Sequence, residues 1–290
     1  MKNKYFGTGV ALVTPFKEDL SIDYSALENL LAYISDGGVD YLVVLGTTGE
    51  ASTLSGKEKK EVIEFIKKNN PHKLPFVLGL GGNDTTELKS KLSEINFDGI
   101  DAILSVSPYY NKPTQEGIFQ HYTQFAAASP VPLILYNIPG RTASNVTAQT
   151  TLRLAQNANI IGVKEASGDF VQCIEIIQNK PTDFFLTAGD DILTVPIMSV
   201  GGVGSISAIS NALPKICSDM TSYALNNEYS KANIELHKFS ALNRLLFEEG
   251  NPVGVKTLLD ILGICKPYVR MPLMVGTQSL RSKLLAAYKK

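Results

Sequence analysis

The sequence has few residues of the kinds that bind metals or form disulfides. Its 290 residues include three cysteines and three histidines, scattered along the chain. The odd number and wide spacing of the cysteines give neither a disulfide framework nor a zinc motif. The histidines form no pair with the spacing of metal ligands. We therefore expect no metal and no cofactor, and we expect acid–base chemistry to use groups other than histidine.

Net charge and long apolar runs are also scarce. The formal net charge is −1, which gives no overall attraction to nucleic acid or to anionic membranes. No stretch approaches the roughly 20 apolar residues of a membrane-spanning helix. The first residues of the chain lack the apolar core of a signal peptide. These features predict a cytoplasmic protein with no nucleic-acid and no membrane partner.

Short apolar runs alternate with amphipathic segments along most of the chain. The runs start about 20 to 35 residues apart, which is the length of one βα unit. They are continuously apolar, as is typical of parallel strands buried on both faces. The pattern predicts an α/β fold, a (β/α)8 TIM barrel. The runs are Gly9–Val13, Tyr41–Leu45, Pro75–Gly79, Ala102–Leu104, Pro132–Tyr136, Asn159–Lys164, Phe184–Thr187 and Gly204–Ser207.

The segments between the runs, and the end of the chain, carry helix signals. Ser55 and Glu58 form a capping-box pattern before an apolar helical face. Asn251-Pro252 predicts a helix cap followed by proline at the first helical position. No further strand is predicted after the eighth run. We therefore predict a catalytic barrel over residues 1–226 and a C-terminal helical domain over residues 227–290.

Lys164 is the residue with the most specific chemistry. It ends the apolar run that starts at Asn159, so its amine lies at the carboxyl end of a predicted strand. Burial disfavours a charged amine, and a neutral lysine can form a Schiff base with a carbonyl substrate. A lysine in this position can also simply contact water, as most lysines do. The choice depends on the residues that follow the other strands.

Polar side chains also follow the other predicted strands, at the end of the barrel where active sites of this fold lie. Tyr136 precedes Lys164 by 28 residues, one βα unit, so the two should end neighbouring strands and face one cavity. Taken singly, each such residue can also be a half-buried ring, part of a tight turn or a surface charge. Further residues at the ends of predicted strands are Thr47, Thr48, Tyr109, Tyr110, Arg141, Gly189 and Ser207.

These groups can carry out one reaction together. A Schiff-base lysine needs proton transfer when water leaves and when the adduct is deprotonated. Without histidine, a hydrogen-bonded chain of the hydroxyls of Thr47, Tyr110 and Tyr136 is a plausible shuttle. Thr48 and the N–H groups of its turn can hold one carboxylate. Arg141 can bind a second carboxylate through two parallel hydrogen bonds.

The chain resembles the dihydrodipicolinate synthase family, within the pyruvate-dependent class I lyases and aldolases, over essentially its full length. The segment that contains Lys164 is one of several motifs that carry the resemblance, and together they are highly specific. The motifs are Gly46–Glu50, Pro108–Pro113, Tyr136–Thr142, Gly162–Gly168, Gly189–Asp191 and Asn251-Pro252.

The resemblance implies that the chain condenses pyruvate with L-aspartate 4-semialdehyde to 4-hydroxy-tetrahydrodipicolinate, the first committed step of lysine and diaminopimelate biosynthesis. It implies that Lys164 forms the Schiff base with pyruvate and that Tyr136 donates and accepts protons. Thr47 and Tyr110 complete the relay, with Tyr110 reaching in from a neighbouring subunit. The implied substrate-binding residues are Thr48 and the Ile206 backbone for the pyruvate carboxylate, Arg141 for the second carboxylate, and Gly189.

The resemblance also implies a homotetramer, a dimer of tight dimers, with a lysine effector site at the tight interface of sensitive members. Gly56 and Lys59 stand where such members often carry imidazoles. A cationic Lys59 would repel a cationic effector, so we expect weak or absent feedback by lysine. The residues that resemble parts of the effector pocket are Ser52, Asn83, Glu87 and Tyr109.

Alternative functions remain open on the sequence alone. N-acetylneuraminate lyase and 2-keto-3-deoxy-sugar-acid aldolase share the lysine and the tyrosine of this family. Arg141 and the Thr47-Thr48 pair favour the synthase over both. The chain could also be a non-catalytic barrel that acts as a regulator or a binding protein. The presence of every residue of the proton shuttle argues against that alternative.

Overall fold

The computed structural model describes residues 4–289 of the chain. Within these residues, eight strands alternate with helices in chain order. The strands β1 to β8 are Gly7–Ala11, Tyr41–Val44, Phe76–Gly79, Ala102–Val106, Leu133–Asn137, Ile160–Glu165, Phe185–Ala188 and Gly204–Ser207. Each lies within two residues of a predicted apolar run, so the strand predictions are confirmed.

The helices of the described residues are numbered α1 to α12. They are Tyr24–Asp36, Gly56–Lys68, Thr85–Leu92, Gln115–Ala128, Pro139–Thr142, Ala148–Leu154, Phe170–Asn179, Thr194–Ser199, Pro214–Leu225, Tyr229–Glu248, Val253–Ile261 and Gln278–Tyr288. None of the helices within residues 4–289 combines the length and the apolar character that a membrane-spanning segment needs.

The strands form a closed barrel in the order β1 to β8. Neighbouring strands such as β5 and β6 pair in parallel. Because parallel strands of a closed barrel run in one direction, their carboxyl ends lie at the same end of the barrel. The predicted (β/α)8 barrel is confirmed.

The contacts between Cα atoms divide the chain into two compact units. The central unit is Phe76–Ile206, and the terminal unit comprises the described residues up to Pro75 together with those from Ser207 onward. The division into domains at residue 226, predicted from the sequence, stays a prediction.

In the central unit, apolar side chains fill the layer between the strands and the helices outside them. Leu135 of β5, Val163 of β6 and Leu186 of β7 belong to one buried cluster with Tyr122 and Phe125 of α4. Each fully buried side chain of this size stabilises the fold by about 1.5–3 kcal/mol. Because successive strand residues point to opposite faces, the residue after each strand member of this cluster faces the barrel interior.

In the terminal unit, α10 packs against α9, α11 and α12. Buried residues on α10 such as Phe239 and Leu246 supply the apolar face of this extension. From residue 227 to residue 289 the described chain contains helices and no strand. The prediction of a helical C-terminal extension is confirmed.

Helix caps at two places test the local predictions. Ser55 and Glu58 form the predicted capping box at the start of α2, with both reciprocal hydrogen bonds present. The prediction for Asn251-Pro252 is wrong, because α11 begins at Val253 and Pro252 occupies its N-cap position. The Asn251 side chain donates to the Thr48 hydroxyl instead of capping the helix.

Candidate active site

The amine of Lys164 lies at the carboxyl end of β6, beside the ring of Tyr136. The register pairs Tyr136 of β5 with Lys164 of β6. Lys164 Nζ is 4.3 Å from the centroid of the Tyr136 ring, and the two residues are only 6% and 7% exposed. The prediction that they end neighbouring strands is confirmed. A buried amine beside a phenol has the groups needed for attack on a carbonyl with proton transfer.

Strand alternation explains why both side chains face inward. Leu135 and Val163, which precede them, belong to the cluster packed against the helices. The next residue of each strand therefore faces the opposite side of the sheet, which is the barrel interior. The placement of Tyr136 and Lys164 thus follows from the same alternation that builds the core.

Strand β7 places a hydroxyl next to the lysine, and the residue after the strand places a glycine there. Thr187 pairs with Lys164 in the β6–β7 register, and its buried Oγ1 has no hydrogen-bond partner among the described residues. Gly189 donates its N–H to the Glu165 carbonyl at 2.7 Å. A Cβ atom on Gly189 would lie 3.0 Å from Lys164 Cε and 2.6 Å from the Ala166 Cβ. A side chain at this position would therefore displace its neighbours around the lysine.

A buried polar network occupies the opposite face of β5 and β6. Asn137 and Glu165 are register partners, and Asn137 Nδ2 lies 3.0 and 3.1 Å from the two carboxylate oxygens of Glu165. The carboxylate also accepts hydrogen bonds from Gln172 Nε2 at 3.0 Å and from the Ser167 N–H at 2.8 Å. These hydrogen bonds connect β5, β6 and α7 at the residues that directly follow Tyr136 and Lys164. Sequence reasoning missed this network, although a polar residue follows each of the two strand-end candidates.

The other predicted site residues of the central unit differ in exposure. Tyr110 is 88% exposed and Tyr109 is 41% exposed. Arg141 is exposed on the short helix α5, directly after β5. Ile206 is buried in β8. The structure therefore brings Lys164, Tyr136 and Gly189 together, whereas the rings of Tyr109 and Tyr110 and the Arg141 side chain lie at the surface.

Thr47 and Thr48 lie in the terminal unit, in the turn Gly46–Glu50 that follows β2. Thr47 is exposed, and Thr48 is 3% exposed. Thr48 Oγ1 accepts a hydrogen bond from Asn251 Nδ2 at 2.9 Å. Because this bond uses a lone pair of the hydroxyl, the Thr48 hydrogen remains available to donate.

Glu50, the last residue of this turn, forms a buried ion pair that the sequence analysis did not predict. Lys256 Nζ of α11 is 2.6 Å from Glu50 Oε1. Burial lowers the pKa of Lys256, and the facing Glu50 carboxylate opposes that shift. The sequence did indicate such a pair. Lys256 interrupts the otherwise apolar start of α11, and a buried charge needs a partner.

Residues predicted for an effector pocket occur in both units. In the central unit, Asn83 Nδ2 donates to the Tyr109 carbonyl at 3.0 Å. Glu87 pairs with Lys91 at 2.6 Å on α3. In the terminal unit, Ser52 lies in a short 3-10 helix. The effector site stays a prediction.

His121 is a buried histidine of the central unit. Its Nδ1 lies 2.8 Å from Thr85 Oγ1, and burial lowers its pKa to about 4. The imidazole is therefore uncharged at neutral pH. No group of three or more histidine, cysteine, aspartate or glutamate side chains in residues 4–289 is arranged to hold a metal ion.

Comparisons with known proteins agree on one family. The Dihydrodipicolinate synthetase family matches residues 4–290. A protein of Cytophaga hutchinsonii named 4-hydroxy-tetrahydrodipicolinate synthase is 48% identical over 286 residues, which cover 99% of this chain and 96% of the relative.

Solved structures agree with the sequence relatives. The chloride-inhibited dihydrodipicolinate synthase of Acinetobacter baumannii, complexed with pyruvate, is 38% identical with a TM-score of 0.95, and the match covers 98% of each chain. A structure described as the first monomeric dihydrodipicolinate synthase variant is 33% identical with a TM-score of 0.95, and the match covers 99% of this chain and 96% of that one. With a match over nearly its whole length, the chain belongs to the dihydrodipicolinate synthetase family.

Proposed function

We infer that the chain catalyses the condensation of pyruvate with L-aspartate 4-semialdehyde to 4-hydroxy-tetrahydrodipicolinate, in lysine and diaminopimelate biosynthesis. The match to the family and to relatives named for this reaction supports the assignment. The observation that carries it within the structure is the buried Lys164 amine, 4.3 Å from the centroid of the Tyr136 ring.

The proposed chemistry begins at Lys164. Its amine attacks the keto carbon of pyruvate, and water leaves as the carbinolamine becomes an imine. Tyr136 supplies the proton that leaves with the water, and loss of a methyl proton then gives the enamine. The enamine carbon bonds to the aldehyde carbon of the second substrate. Attack of the substrate amine on the imine closes the ring and releases Lys164.

The remaining site residues are proposed to move protons and hold carboxylates. Thr47 and Tyr110 complete the relay with Tyr136. Thr48, whose hydroxyl hydrogen is available, holds the pyruvate carboxylate together with the Ile206 backbone. Arg141 is proposed for the second substrate, since it can bind a carboxylate in a bidentate manner. Gly189 is proposed as a further substrate-binding residue, since it has no side chain to crowd the lysine.

We also propose the family's homotetramer, a dimer of dimers, and a cytoplasmic location. The 88% exposure of Tyr110 fits a ring that contributes to a neighbouring subunit's site. Sedimentation velocity tests the assembly: a tetramer is expected, and a monomer at all concentrations contradicts the proposal that Tyr110 acts across subunits.

Pyruvate consumption with alternative partner aldehydes tests the assignment. We expect turnover with L-aspartate 4-semialdehyde and none with N-acetylmannosamine or with the aldehydes from which 2-keto-3-deoxy-sugar acids form. Turnover with N-acetylmannosamine alone would identify a lyase of the N-acetylneuraminate type. No turnover with any aldehyde, from protein that is folded by circular dichroism, would favour a regulator or binding protein.

A further inference from the structure

Two opposite charges are buried together at the end of the turn that carries Thr47 and Thr48. The side chain of Lys256 is 0% exposed and that of Glu50 is 2% exposed. Lys256 Nζ contacts Glu50 Oε1 at 2.6 Å and also donates to the Tyr268 carbonyl at 2.8 Å. A charge removed from water is stable only when it is paired and hydrogen-bonded. Each side chain therefore fixes the position of the other.

The second oxygen of the carboxylate is also held. Glu50 Oε2 accepts a hydrogen bond from the Arg270 N–H at 2.9 Å, and Arg270 Nη1 donates to the Thr53 carbonyl at 2.9 Å. Both cations lie close to the Phe16 ring, whose centroid is 4.0 Å from Lys256 Nζ and 4.5 Å from Arg270 Cζ. The C-terminal segment thus holds the chain at Glu50, the last residue of the turn, and again at Thr53, three residues later.

The backbone around the turn needs such anchoring. Leu45, which directly precedes the turn, has φ of +59°, and Glu50, its last residue, has φ of +52°. Residues other than glycine rarely adopt this left-handed backbone conformation. They keep it where several surrounding contacts hold the backbone in place. The Glu50 carboxylate contacts with Lys256 and Arg270 supply that constraint at one end of the turn.

A further bond from the same segment reaches the middle of the turn. Asn251 Nδ2 donates to Thr48 Oγ1 at 2.9 Å, and Asn251 lies five residues before Lys256, next to the start of α11. The start of α11 therefore controls both the direction of the Thr48 hydroxyl and the position of Glu50.

We propose that Lys256 and Glu50 are positioning residues, which hold the turn so that Thr47 and Thr48 meet pyruvate in the reactive geometry. The proposal rests on the proposed function, in which Thr48 holds the pyruvate carboxylate and Thr47 relays protons. Neither Lys256 nor Glu50 contacts substrate in this scheme; both act through the turn. A pair that serves stability alone would leave the kinetics of folded enzyme unchanged.

The main test replaces Lys256 by methionine, which has a similar length and no charge. We expect Lys256→Met to raise the KM for pyruvate and to lower kcat, each by about 10-fold or more, because small displacements of positioning groups have large kinetic effects. The KM for the semialdehyde should change less than about twofold, since the residue proposed to bind its carboxylate belongs to the other unit. Circular dichroism and thermal unfolding define conditions under which the variant is folded.

A second variant covers the case in which Lys256→Met does not fold. Glu50→Asp keeps both charges but retracts the carboxylate by one methylene. It should give the same pattern, a selective increase in the KM for pyruvate with a lower kcat. Leu242→Ala is the matched control, because it creates a cavity at a buried position of α10 and should lower the melting temperature without changing the KM for pyruvate.

The outcomes separate this inference from the proposed function. If the parent protein forms no reducible adduct with pyruvate, the proposed function fails and the inference fails with it. If the parent forms the adduct but folded Lys256→Met and Glu50→Asp retain parental kcat and KM for pyruvate within twofold, the positioning role alone is overturned. An equal increase in the KM values of both substrates also overturns it, because that result indicates a general distortion.

Discussion

The two units fix their candidate catalytic groups in different ways. In the central unit, Lys164 and Tyr136 are register partners on adjacent strands. In the terminal unit, the turn that carries the threonines is held by Lys256, which lies 206 residues after Glu50 in the sequence. Placement by strand register depends on the barrel itself, whereas placement by a distant side chain depends on individual contacts. Single substitutions far from the reacting groups should therefore disturb the turn Gly46–Glu50 more than they disturb Lys164 and Tyr136.

The energies involved support this contrast. Non-glycine residues in the left-handed region cost on the order of 1–3 kcal/mol each, and Leu45 and Glu50 both have such backbones. Removing one partner of a buried ion pair costs about 3–5 kcal/mol. Tyr136 and Lys164 carry no comparable strain, since they are paired residues of parallel strands and neither has a positive φ.

The largest effect is expected from deleting the Tyr136 hydroxyl. Tyr136→Phe should lower kcat by about 10²–10⁴-fold, because the proposed proton donor is lost, while the melting temperature stays close to that of the parent. Steady-state kinetics and thermal unfolding measure the two quantities.

Tyr33→Phe is the control for this variant. It removes a hydroxyl that donates to the Ala212 carbonyl at 2.8 Å in the terminal unit. It should cost about 0.5–1.5 kcal/mol of stability and leave kcat unchanged. If Tyr136→Phe instead loses stability and retains activity, Tyr136 is a structural residue.

The next largest effect is expected at the glycine beside the lysine. Gly189→Ala places a Cβ atom 3.0 Å from Lys164 Cε and 3.0 Å from the Glu165 carbonyl oxygen. Overpacking of this kind costs about 1–3 kcal/mol, and the displaced lysine should lower kcat/KM for pyruvate by about 10-fold or more. Gly56→Ala is the control, since its Cβ meets nothing within 4 Å. Equal kinetics for the two variants would show that the space beside Lys164 is unimportant.

A smaller effect, on the free energy of unfolding, is expected from replacing a carboxylate in the terminal unit, and this effect should depend on pH. A hydrogen bond from Arg270, together with hydrogen bonds from Ser55, lowers the pKa of Glu58 to about 2 from 4.5. Because the folded pKa is below the unfolded one, this stabilisation is present above about pH 4.5 and is lost as the pH falls toward 2. Glu58→Gln should cost about 1–2 kcal/mol at pH 7.

Denaturant unfolding between pH 7 and pH 2 checks this expectation. The difference in unfolding free energy between parent and Glu58→Gln should shrink toward acid pH. Glu61→Gln, which removes one side of an exposed pair with Lys57, should stay within about 0.5 kcal/mol of the parent throughout. A difference for Glu58→Gln that does not depend on pH would contradict the linkage.

The smallest effect is expected from added lysine. Lys59 on α2 carries a positive charge that opposes binding of a second cation, so L-lysine should leave the steady-state rate nearly unchanged. Strong inhibition at sub-millimolar lysine contradicts this expectation and would show that the residues predicted for an effector pocket form a working site.

Most of the central unit could be predicted from the sequence. Apolar runs mark strands because a strand buried on both faces is apolar throughout. A separation of one βα unit then makes Tyr136 and Lys164 neighbours. Capping signals such as Ser55 are also local, since they satisfy N–H groups within one helical turn.

The anchoring of the threonine turn could not be predicted in the same way. Periodicity reports local structure, and it does not specify which of many polar residues meets Glu50 from 206 residues away. The Asn251-Pro252 prediction was wrong for the same reason: the pattern is that of a helix start, but a tertiary contact to Thr48 uses the Asn251 side chain. The apolar surroundings of Lys256 indicated only that some partner must exist.

The assignment of Lys164 as the Schiff-base residue is tested most directly by the mass of the protein after borohydride reduction in the presence of pyruvate. Reduction should fix one pyruvyl group per chain, and peptide mapping should place it on Lys164. Lys164→Ala, folded by circular dichroism, should gain no mass. Absence of the adduct on the folded parent protein, or its presence on a different lysine, would contradict the assignment of Lys164 as the Schiff-base residue.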